Sequence, residues 1–150
     1  SILRVPMVLG ANDYASRALL KRASSRLAFA FRAASLEQPI DVDDVIAAVM
    51  ACMESSVEGV MCLAGPVSLS RRVLFERAGF QGTLISLPMW LGMLVARCLE
   101  WASDNPPMTR AMLGILDHDD NIDTDAIVQK LGITLTSLDE TLQKINPAID

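Results

Sequence analysis

The chain has 150 residues, of which 51% are hydrophobic and 21% charged, so it can bury a core and is too apolar for a disordered polypeptide. Its formal net charge of −5 gives no overall reason to expect nucleic-acid binding. The longest apolar run covers residues 87–96, which is shorter than the ~20 residues of a membrane-spanning helix. We therefore expect a single soluble domain without a transmembrane segment.

Charge is unevenly distributed along the chain. Residues 1–35 contain six Lys or Arg and a single acid, Asp13. We interpret this segment as a solvated basic helix face, and a phosphate or anionic-lipid site is the alternative.

The cysteine pattern indicates a reducing compartment. Cys52, Cys62 and Cys98 form no C-x-x-C pair and leave one odd thiol. Because Cys52 and Cys62 lie in apolar runs, we expect them to be small buried hydrophobes. Arg4 interrupts the N-terminal apolar run, so we expect no signal peptide and a cytoplasmic protein.

The first predicted element is a buried strand over residues 2–9, which is apolar on both faces and therefore needs cover on both sides. Pro6 counts against it, since proline cannot donate a ladder hydrogen bond. Asn12 or Asp13 then caps a long basic helix that we expect to reach about residue 33.

An extended segment at residues 38–42 follows, and Asp43 or Asp44 is predicted to cap an amphipathic helix after it. Residues 59–63 and 83–87 are further strand candidates. Strands separated by helices predict a parallel sheet, so the fold class is α/β, helix-rich, with two or three mainly parallel strands.

Serine and proline mark the remaining helices. Ser68 or Ser70 opens a short helix that ends near Gly79, and Pro88 opens one that reaches about Ser103. Further helices are predicted at residues 108–116, 124–131 and 137–145.

The helix after Pro88 contains both tryptophans. Trp90, Leu94, Arg97 and Trp101 form one stripe at helical spacing. A stripe of this kind can contact a partner or a membrane surface, with Arg97 between the rings. We favour a mostly buried helix, because its opposite face is also apolar.

Signatures of catalysis, metal binding and phosphate binding are missing from the sequence. No G-x-G-x-x-G or P-loop motif is present. Tyr14 is followed four residues later by Ala18 instead of lysine, and His118 is interpreted as a surface histidine. Residues 117–128 do not form a calcium loop, since Ile122 and Val128 stand where Gly and Glu are needed. We therefore assign no catalytic and no metal-binding residue.

Three passages in order resemble the second half of an extended or atypical short-chain dehydrogenase/reductase, the NAD(P)-dependent epimerase/dehydratase family. ILRVPMVLGA at residues 2–11 is similar to the strand and turn that follow the family's catalytic tyrosine helix. QPIDVDDV at residues 38–45 resembles its Q-P-[IV]-H-V-x-D-V segment. GPVSLS at residues 65–70 resembles its G-P-x-x-L-T turn.

The C-terminal third adds a narrower resemblance. NPPMTR at residues 105–110, with DNID at 120–123 and LGI at 131–133, is similar to one atypical branch of the family. That branch contains the accessory NAD(P)H-binding subunit of respiratory complex I and its bacterial relatives.

The resemblance implies the C-terminal portion of a Rossmann-type fold. Residues 1–150 would be a single substrate-side segment of a larger NAD(P)-binding protein whose cofactor loop and Tyr-x-x-x-Lys pair lie upstream. NAD or NADP would bind the intact protein and not this segment alone, and the substrate would be a small molecule. The residues implied to line the cofactor–substrate cleft are Pro6, Met7, Val8, Gln38 and Asp41.

Departures from the family pattern argue against a sugar-nucleotide substrate. Met7 stands where sugar-nucleotide members often place an asparagine that contacts substrate, and a thioether cannot replace that hydrogen bond. Ala11 replaces the usual proline and Asp41 a common histidine.

The first hypothesis for function is the substrate-binding portion of an oxidoreductase or epimerase, inactive alone. The alternative is a non-catalytic interaction or assembly subunit of the complex I accessory type. If strands that should flank the first strand are missing, we expect self-association through the N-terminal strand, or rearrangement of residues 1–35.

Overall fold

The structure, a computed structural model, describes residues 1–11, 13–55, 58–103, 106–115 and 118–146. Within these ranges the chain contains seven helices and eight short strands, which form four two-stranded pairs. Three of these pairs are parallel and one is antiparallel. The predicted helix-rich α/β class is confirmed.

The elements alternate along the chain. The helices are α1 (Tyr14–Ala23), α2 (Val42–Glu54), α3 (Arg71–Arg77), α4 (Met89–Ala102), α5 (Arg110–Ile115), α6 (Asp125–Leu131) and α7 (Leu138–Ile145). The strands are β1 (Ile2–Arg4), β2 (Val8–Leu9), β3 (Leu27–Phe31), β4 (Leu36–Glu37), β5 (Ile40–Asp41), β6 (Val60–Cys62), β7 (Leu69–Ser70) and β8 (Thr83–Leu87). Parallel pairs join β1 to β6, β2 to β5 and β3 to β8, and β4 is antiparallel to β7.

The predicted first strand is two strands that have different partners. β1 pairs with β6, whereas β2 pairs with β5. The chain bends at Pro6 and Met7 between them. Proline has no N–H to donate, so a continuous ladder across this position would lose a hydrogen bond.

The predicted long basic helix is wrong in its second half. α1 ends at Ala23, and the chain then forms β3, which pairs with β8. In β3 the small residues Ala28 and Ala30 are buried, whereas Leu27 and Phe29 are exposed. This alternation has the period of a strand, but Leu27 and Phe31 are also spaced like one side of a helix, which is why the pattern predicted a helix here.

Other predicted boundaries agree with the structure. Ser70 caps α3 through the N–H of Val73, and the helix is followed by Gly79 at φ +95°. Of the two proposed caps of α1, Asp13 accepts from the Ser16 N–H, and Asn12 lies outside the described residues.

Two hydrophobic clusters support these elements. The larger one packs α1 and α3 against β3 and β8, and Leu138 and Leu142 of α7 complete it. The second cluster packs α2 and α6 on β1 and β5, with Ala48 and Leu63 fully buried. Among the described residues no helix is long and apolar enough to cross a membrane.

Candidate functional site

A cavity of about 900 Å³ opens where the parallel strands β1 and β6 end. Arg4 and Cys62, the last residues of these strands, are paired in the ladder, and both line the cavity. The other walls come from the loop after β1, from α1, β3 and α3, and from the loop before α6. The described lining residues are Arg4, Val5, Pro6, Met7, Tyr14, Ala15, Ala18, Leu19, Arg22, Phe29, Ala30, Phe31, Glu37, Cys62, Arg71, Leu74, Phe75, His118, Asp120 and Ile122.

α1 is fixed at its first turn. The Asp13 carboxylate accepts the Ser16 N–H at 2.6 Å, and the Ser16 hydroxyl accepts the Gly10 N–H at 3.1 Å. Because Ser16 is buried, these bonds hold the helix start against the end of β2. One face of the helix, which includes Ala18 and Arg22, then lines the cavity.

A buried ion pair forms part of the cavity wall. Arg71 donates from Nε to Glu37 Oε1 at 2.8 Å and from Nη2 to the same oxygen. Its Nη1 donates to the Phe31 carbonyl. The side chains of Arg71 and Glu37 are only 10% and 15% exposed. The pair therefore ties α3 to β3 and β4.

Asp119 and Asp120 anchor the loop before α6. Asp119 pairs with Arg32 at 3.3 Å and accepts the Leu36 N–H at 3.1 Å. The Asp120 N–H donates to the Leu36 carbonyl at 3.0 Å. These contacts place His118, which is exposed, and Asp120 in the cavity wall.

Asp120 is the described cavity residue with a perturbed ionisation. Burial raises the pKa of its carboxyl above the ordinary value of 3.8, the nearby Asp119 adds to this effect, and His118 and Arg71 oppose it. A carboxyl group whose pKa is raised in a cleft is a functional-site candidate.

Of the residues expected to line the cleft, Pro6 and Met7 lie in the cavity wall. Val8, Gln38 and Asp41 are not among the described lining residues. Val8 is paired with Ile40 in the β2–β5 ladder.

Gln38 is buried, and its side chain is bonded to the backbone of two residues, one of which lines the cavity. Its Nε2 donates to the carbonyls of Gly65 at 2.8 Å and Ile122 at 3.0 Å, and its Oε1 accepts the Ile122 N–H at 2.7 Å. Ile122 itself lines the cavity. The carboxamide therefore positions the loop that carries this wall.

Asp41 is the N-cap of α2, so the prediction of Asp43 or Asp44 is wrong. Its carboxylate accepts the Asp43 N–H at 2.9 Å, the Thr141 hydroxyl at 2.9 Å and Lys144 Nζ at 3.0 Å. Burial of Asp41 opposes its ionisation, but these hydrogen bonds together outweigh it and lower the pKa. Asp44 instead binds the N–H and hydroxyl of Thr136, at 2.7 and 2.8 Å.

Sequence reasoning missed Arg71, Glu37 and Asp120. Arg71 follows the cap Ser70, so a cation occupies the first turn of α3, where the helix dipole disfavours it. That unfavourable position was the available signal for a special role. The partner Glu37 is 34 residues away and has no signal of its own.

Cys62 was expected to be buried, and the structure shows it exposed on the cavity side. Successive residues of a strand point to opposite faces, and in β6 it is Met61 that enters the core. The three described cysteines are free.

The expectation that α4 is mostly buried is also wrong. Trp90 and Trp101 are 68% and 93% exposed, and Leu94 is half exposed. The buried residues of α4 are Gly92 and Ala96, and Gly92 packs closely on Phe31 and Leu113. α5 is tied to α4 by Arg110, which donates from its N–H and Nε to Glu100 at 2.7 Å and so lowers the pKa of that carboxyl.

Among the described residues, no group of three or more His, Cys, Asp or Glu side chains is arranged to hold a metal ion.

The sequence matches no protein-family model and no curated protein. The chain is, however, similar in structure to solved proteins. The UDP-N-acetylglucosamine 4-epimerase of Bacillus cereus superposes with a TM-score of 0.64 at 12% identity, over 98% of this chain and 45% of the epimerase.

Two further epimerases superpose on this chain to a similar extent. The UDP-glucose 4-epimerase of Thermotoga maritima, solved with UDP-glucose, gives 0.63 at 19% identity over 95% of this chain and 43% of the other. The ADP-L-glycero-D-manno-heptose-6-epimerase of Helicobacter pylori gives 0.63 at 14% identity over 98% and 43%. The chain thus has the fold of one portion of these Rossmann-like enzymes, and it spans less than half of their length.

Proposed function

We propose that this chain is the substrate-side portion of a cytoplasmic NAD(P)-dependent oxidoreductase or epimerase, and that it is inactive alone. The observation that carries the proposal is the position of the cavity. In open α/β sheets, ligands bind outside the carboxyl ends of the strands, and the parallel strands β1 and β6 both end in this cavity. Pro6 and Met7 would line the substrate end of the cleft.

The described residues do not fit a complete dinucleotide site. A cofactor phosphate needs free backbone N–H groups at a glycine-rich turn before a helix. At the turn between β2 and α1, the Gly10 N–H is already bonded to the Ser16 hydroxyl. A Cβ at Gly10 would lie 2.7 Å from Val42, so this glycine serves close packing. We assign the dinucleotide to a separate part of the parent protein.

Uncovered apolar surfaces support such a second part. Ile46, Val49, Met50 and Met53 form an exposed stripe on α2, opposite the face that carries the buried Ala48. Their spacing is that of a helix face made for packing. On the neighbouring strands, Ile2 and Val60 are paired and both more than half exposed. Exposed apolar surfaces of this kind mark interaction sites.

The test compares residues 1–150 with a longer product of the same gene. In calorimetric titration, NAD(H) and NADP(H) should not bind residues 1–150, and one of them should bind the longer product. Hydrogen exchange should become slower in α2 of the longer product and stay unchanged in α7. Binding of a dinucleotide by residues 1–150 alone, or none by the longer product, would refute the proposal.

The exposed apolar stripe on α2 also leads us to propose self-association of the isolated chain. Met50→Glu with Met53→Glu should shift the sedimentation coefficient toward the monomer, because charge on the stripe opposes its burial. Met112→Glu is the control, since Met112 is about as exposed as Met50 but lies on α5. A wild-type monomer at all concentrations would contradict this.

The second candidate is a non-catalytic interaction subunit. The comparisons give it no support, and its basis is the exposed stripe of Trp90, Leu94 and Trp101 on α4. The discriminating observation is the longer gene product: a Tyr-x-x-x-Lys helix upstream favours an enzyme, and its loss favours this candidate.

A further inference from the structure

The cavity walls are mainly apolar. On one side lie Val5, Pro6 and Met7, and on the other lie α3 and β3, whose rings and aliphatic side chains face the same space. Phe29 is half exposed, so its ring is available to a ligand. The apolar lining residues are Val5, Pro6, Met7, Ala15, Ala18, Leu19, Phe29, Ala30, Phe31, Leu74, Phe75 and Ile122. A volume of about 900 Å³ suits a small organic molecule.

The buried cation in the wall is not available to an anionic ligand. Arg71 uses Nε and Nη2 on Glu37 and Nη1 on the Phe31 carbonyl. The carboxylates of Glu37 and Asp120 line the same wall. A diphosphate placed here would meet two acids and a guanidinium that is already neutralised, which disfavours it.

Two cations among the described lining residues remain for a ligand. Arg4 and Arg22 line the cavity and are exposed, and no described carboxylate pairs with either of them. Both belong to the basic N-terminal segment. An anionic group on a ligand can pair with them while the rest of the molecule stays on the apolar walls.

We propose that this cavity binds a small amphiphilic molecule, an aromatic or aliphatic carboxylate, with its apolar body on Met7, Phe29 and Phe75 and its anionic group at Arg4 and Arg22. This names a substrate class for the proposed enzyme and rests on that proposal. It also distinguishes the cavity from a sugar-nucleotide site, because a sugar would leave its hydroxyls against Met7 and the phenyl rings without hydrogen-bond partners.

The probe is 2-naphthoate, titrated into residues 1–150 and followed by calorimetry, with neutral 2-naphthol and UDP-glucose as comparators. We expect 2-naphthoate to bind more tightly than 2-naphthol and UDP-glucose to give no heat. Arg22→Ala should weaken 2-naphthoate about fivefold and change 2-naphthol less than about twofold, since only the charged contact is removed. Arg26→Ala is the matched control, because Arg26 is exposed but does not line the cavity.

A second variant tests the position of the apolar body. Ala18→Trp fills the cavity from α1 and should abolish binding of both naphthyl probes. Ala47→Trp, at an exposed position on α2, should leave binding unchanged. Circular dichroism of each variant checks that the chain is folded.

Four results would overturn the substrate class: no 2-naphthoate binding, binding insensitive to Arg22→Ala, binding insensitive to a folded Ala18→Trp, or UDP-glucose displacing 2-naphthoate. None of these four results bears on whether the parent protein binds a dinucleotide. Failure of the proposed function shows separately, as a longer gene product that binds no NAD(P)(H).

Discussion

Asp41 lies where β5, α2 and α7 meet, and Asp120 lies in the cavity wall. The chain supplies Asp41 with a backbone N–H, a hydroxyl and an ammonium group, and these partners lower its pKa. Within the described part of the chain no group donates a hydrogen bond to the Asp120 carboxylate, and burial raises its pKa. We call the surroundings of Asp41, including Gln38 and Gly65, the closed junction, and those of Asp120 the open cavity.

The two regions differ in how far the chain itself supplies hydrogen-bond partners to its buried polar groups. Gln38 and Asp41 were expected in the cleft because of a family resemblance, and in the closed junction their polar atoms are bonded inside the chain. A buried polar group that is fully bonded stabilises the fold and has little capacity left for a ligand. Asp120 is partly buried without such bonds, which is a cost that a binding site can explain.

The largest effect is expected at the tightest point of the closed junction. A Cβ at Gly65 would lie 1.8 Å from the Pro39 carbonyl oxygen, so Gly65→Ala must displace backbone. We expect a loss of unfolding free energy of about 3 kcal/mol or more, measured by urea denaturation. Gly114→Ala is the matched control, since nothing lies within 4 Å of its Cβ, and it should be neutral or stabilising. Equal effects of the two changes would contradict a tightly packed junction.

Asp41→Ala removes the α2 cap and leaves the Thr141 hydroxyl and Lys144 without this partner. We expect a loss of about 2–3 kcal/mol at pH 7, because the helix cap and a buried hydrogen bond are deleted together, whereas the pair with the half-exposed Lys144 is screened by solvent and adds less. Asp43→Ala removes the exposed contact of the same lysine and should cost less than about 1 kcal/mol.

The Asp41 contribution also depends on pH. Its folded pKa is below its ordinary value of 3.8, so the stabilisation is present above that value and is lost as pH falls below it. The difference between wild type and Asp41→Ala in urea denaturation should therefore shrink in acid. If this difference in unfolding free energy stays constant in acid, the cap and the ion pair do not need the ionised form of Asp41.

Gln38→Ala leaves the Ile122 N–H and the Gly65 carbonyl without their partner in a buried site. We expect a loss of about 2 kcal/mol. Because the bonded loop forms a cavity wall, hydrogen exchange at Ile122 should also become faster. Gln143→Ala, at an exposed position on α7, should change neither quantity. A folded Gln38→Ala protein with an unchanged Ile122 would show that the carboxamide does not position this loop.

The smallest effect is expected in the open cavity, and it has the opposite sign. Because the folded pKa of Asp120 is raised, its contribution to stability is full below 3.8 and is lost as pH rises through the folded pKa. Asp120→Asn should therefore stabilise the chain by about 0.5 kcal/mol at pH 7, with no gain near pH 3. Asp125→Asn, at an exposed acid, should give no gain. Destabilisation by Asp120→Asn at pH 7 would show that the Asp120 carboxylate stabilises the fold, as the Asp41 carboxylate is expected to do.

Local pattern was sufficient for several elements. Residues 83–87 form β8 as predicted, and the segments predicted at 124–131 and 137–145 are α6 and α7 within one residue at each end. In each case the stop signals and the periodicity agree. Leu27 and Phe31 fit either a helix face or one side of a strand, because spacings of four satisfy both periods.

The candidate site was less predictable than the fold. Pro6 and Met7, which the resemblance places in a ligand cleft, line the candidate cavity, and their contact with a ligand stays a prediction. Arg71, Glu37 and Asp120 were not found, because the contacts of Arg71 join residues 34 and 40 positions apart, and the position of Asp120 depends on where a loop is held.

The sequence by itself determined the α/β class, the helices with clear caps, and the order of segments that resembles part of a dehydrogenase. Only the tertiary structure decided that Asp41 and Gln38 are bonded inside the chain, that the tryptophans of α4 face outward, and that Arg4, Arg22 and Asp120 share one cavity. The physical reason is that periodicity specifies which face of an element is apolar. Whether that face, or a polar group beside it, finds a partner depends on residues distant in the chain.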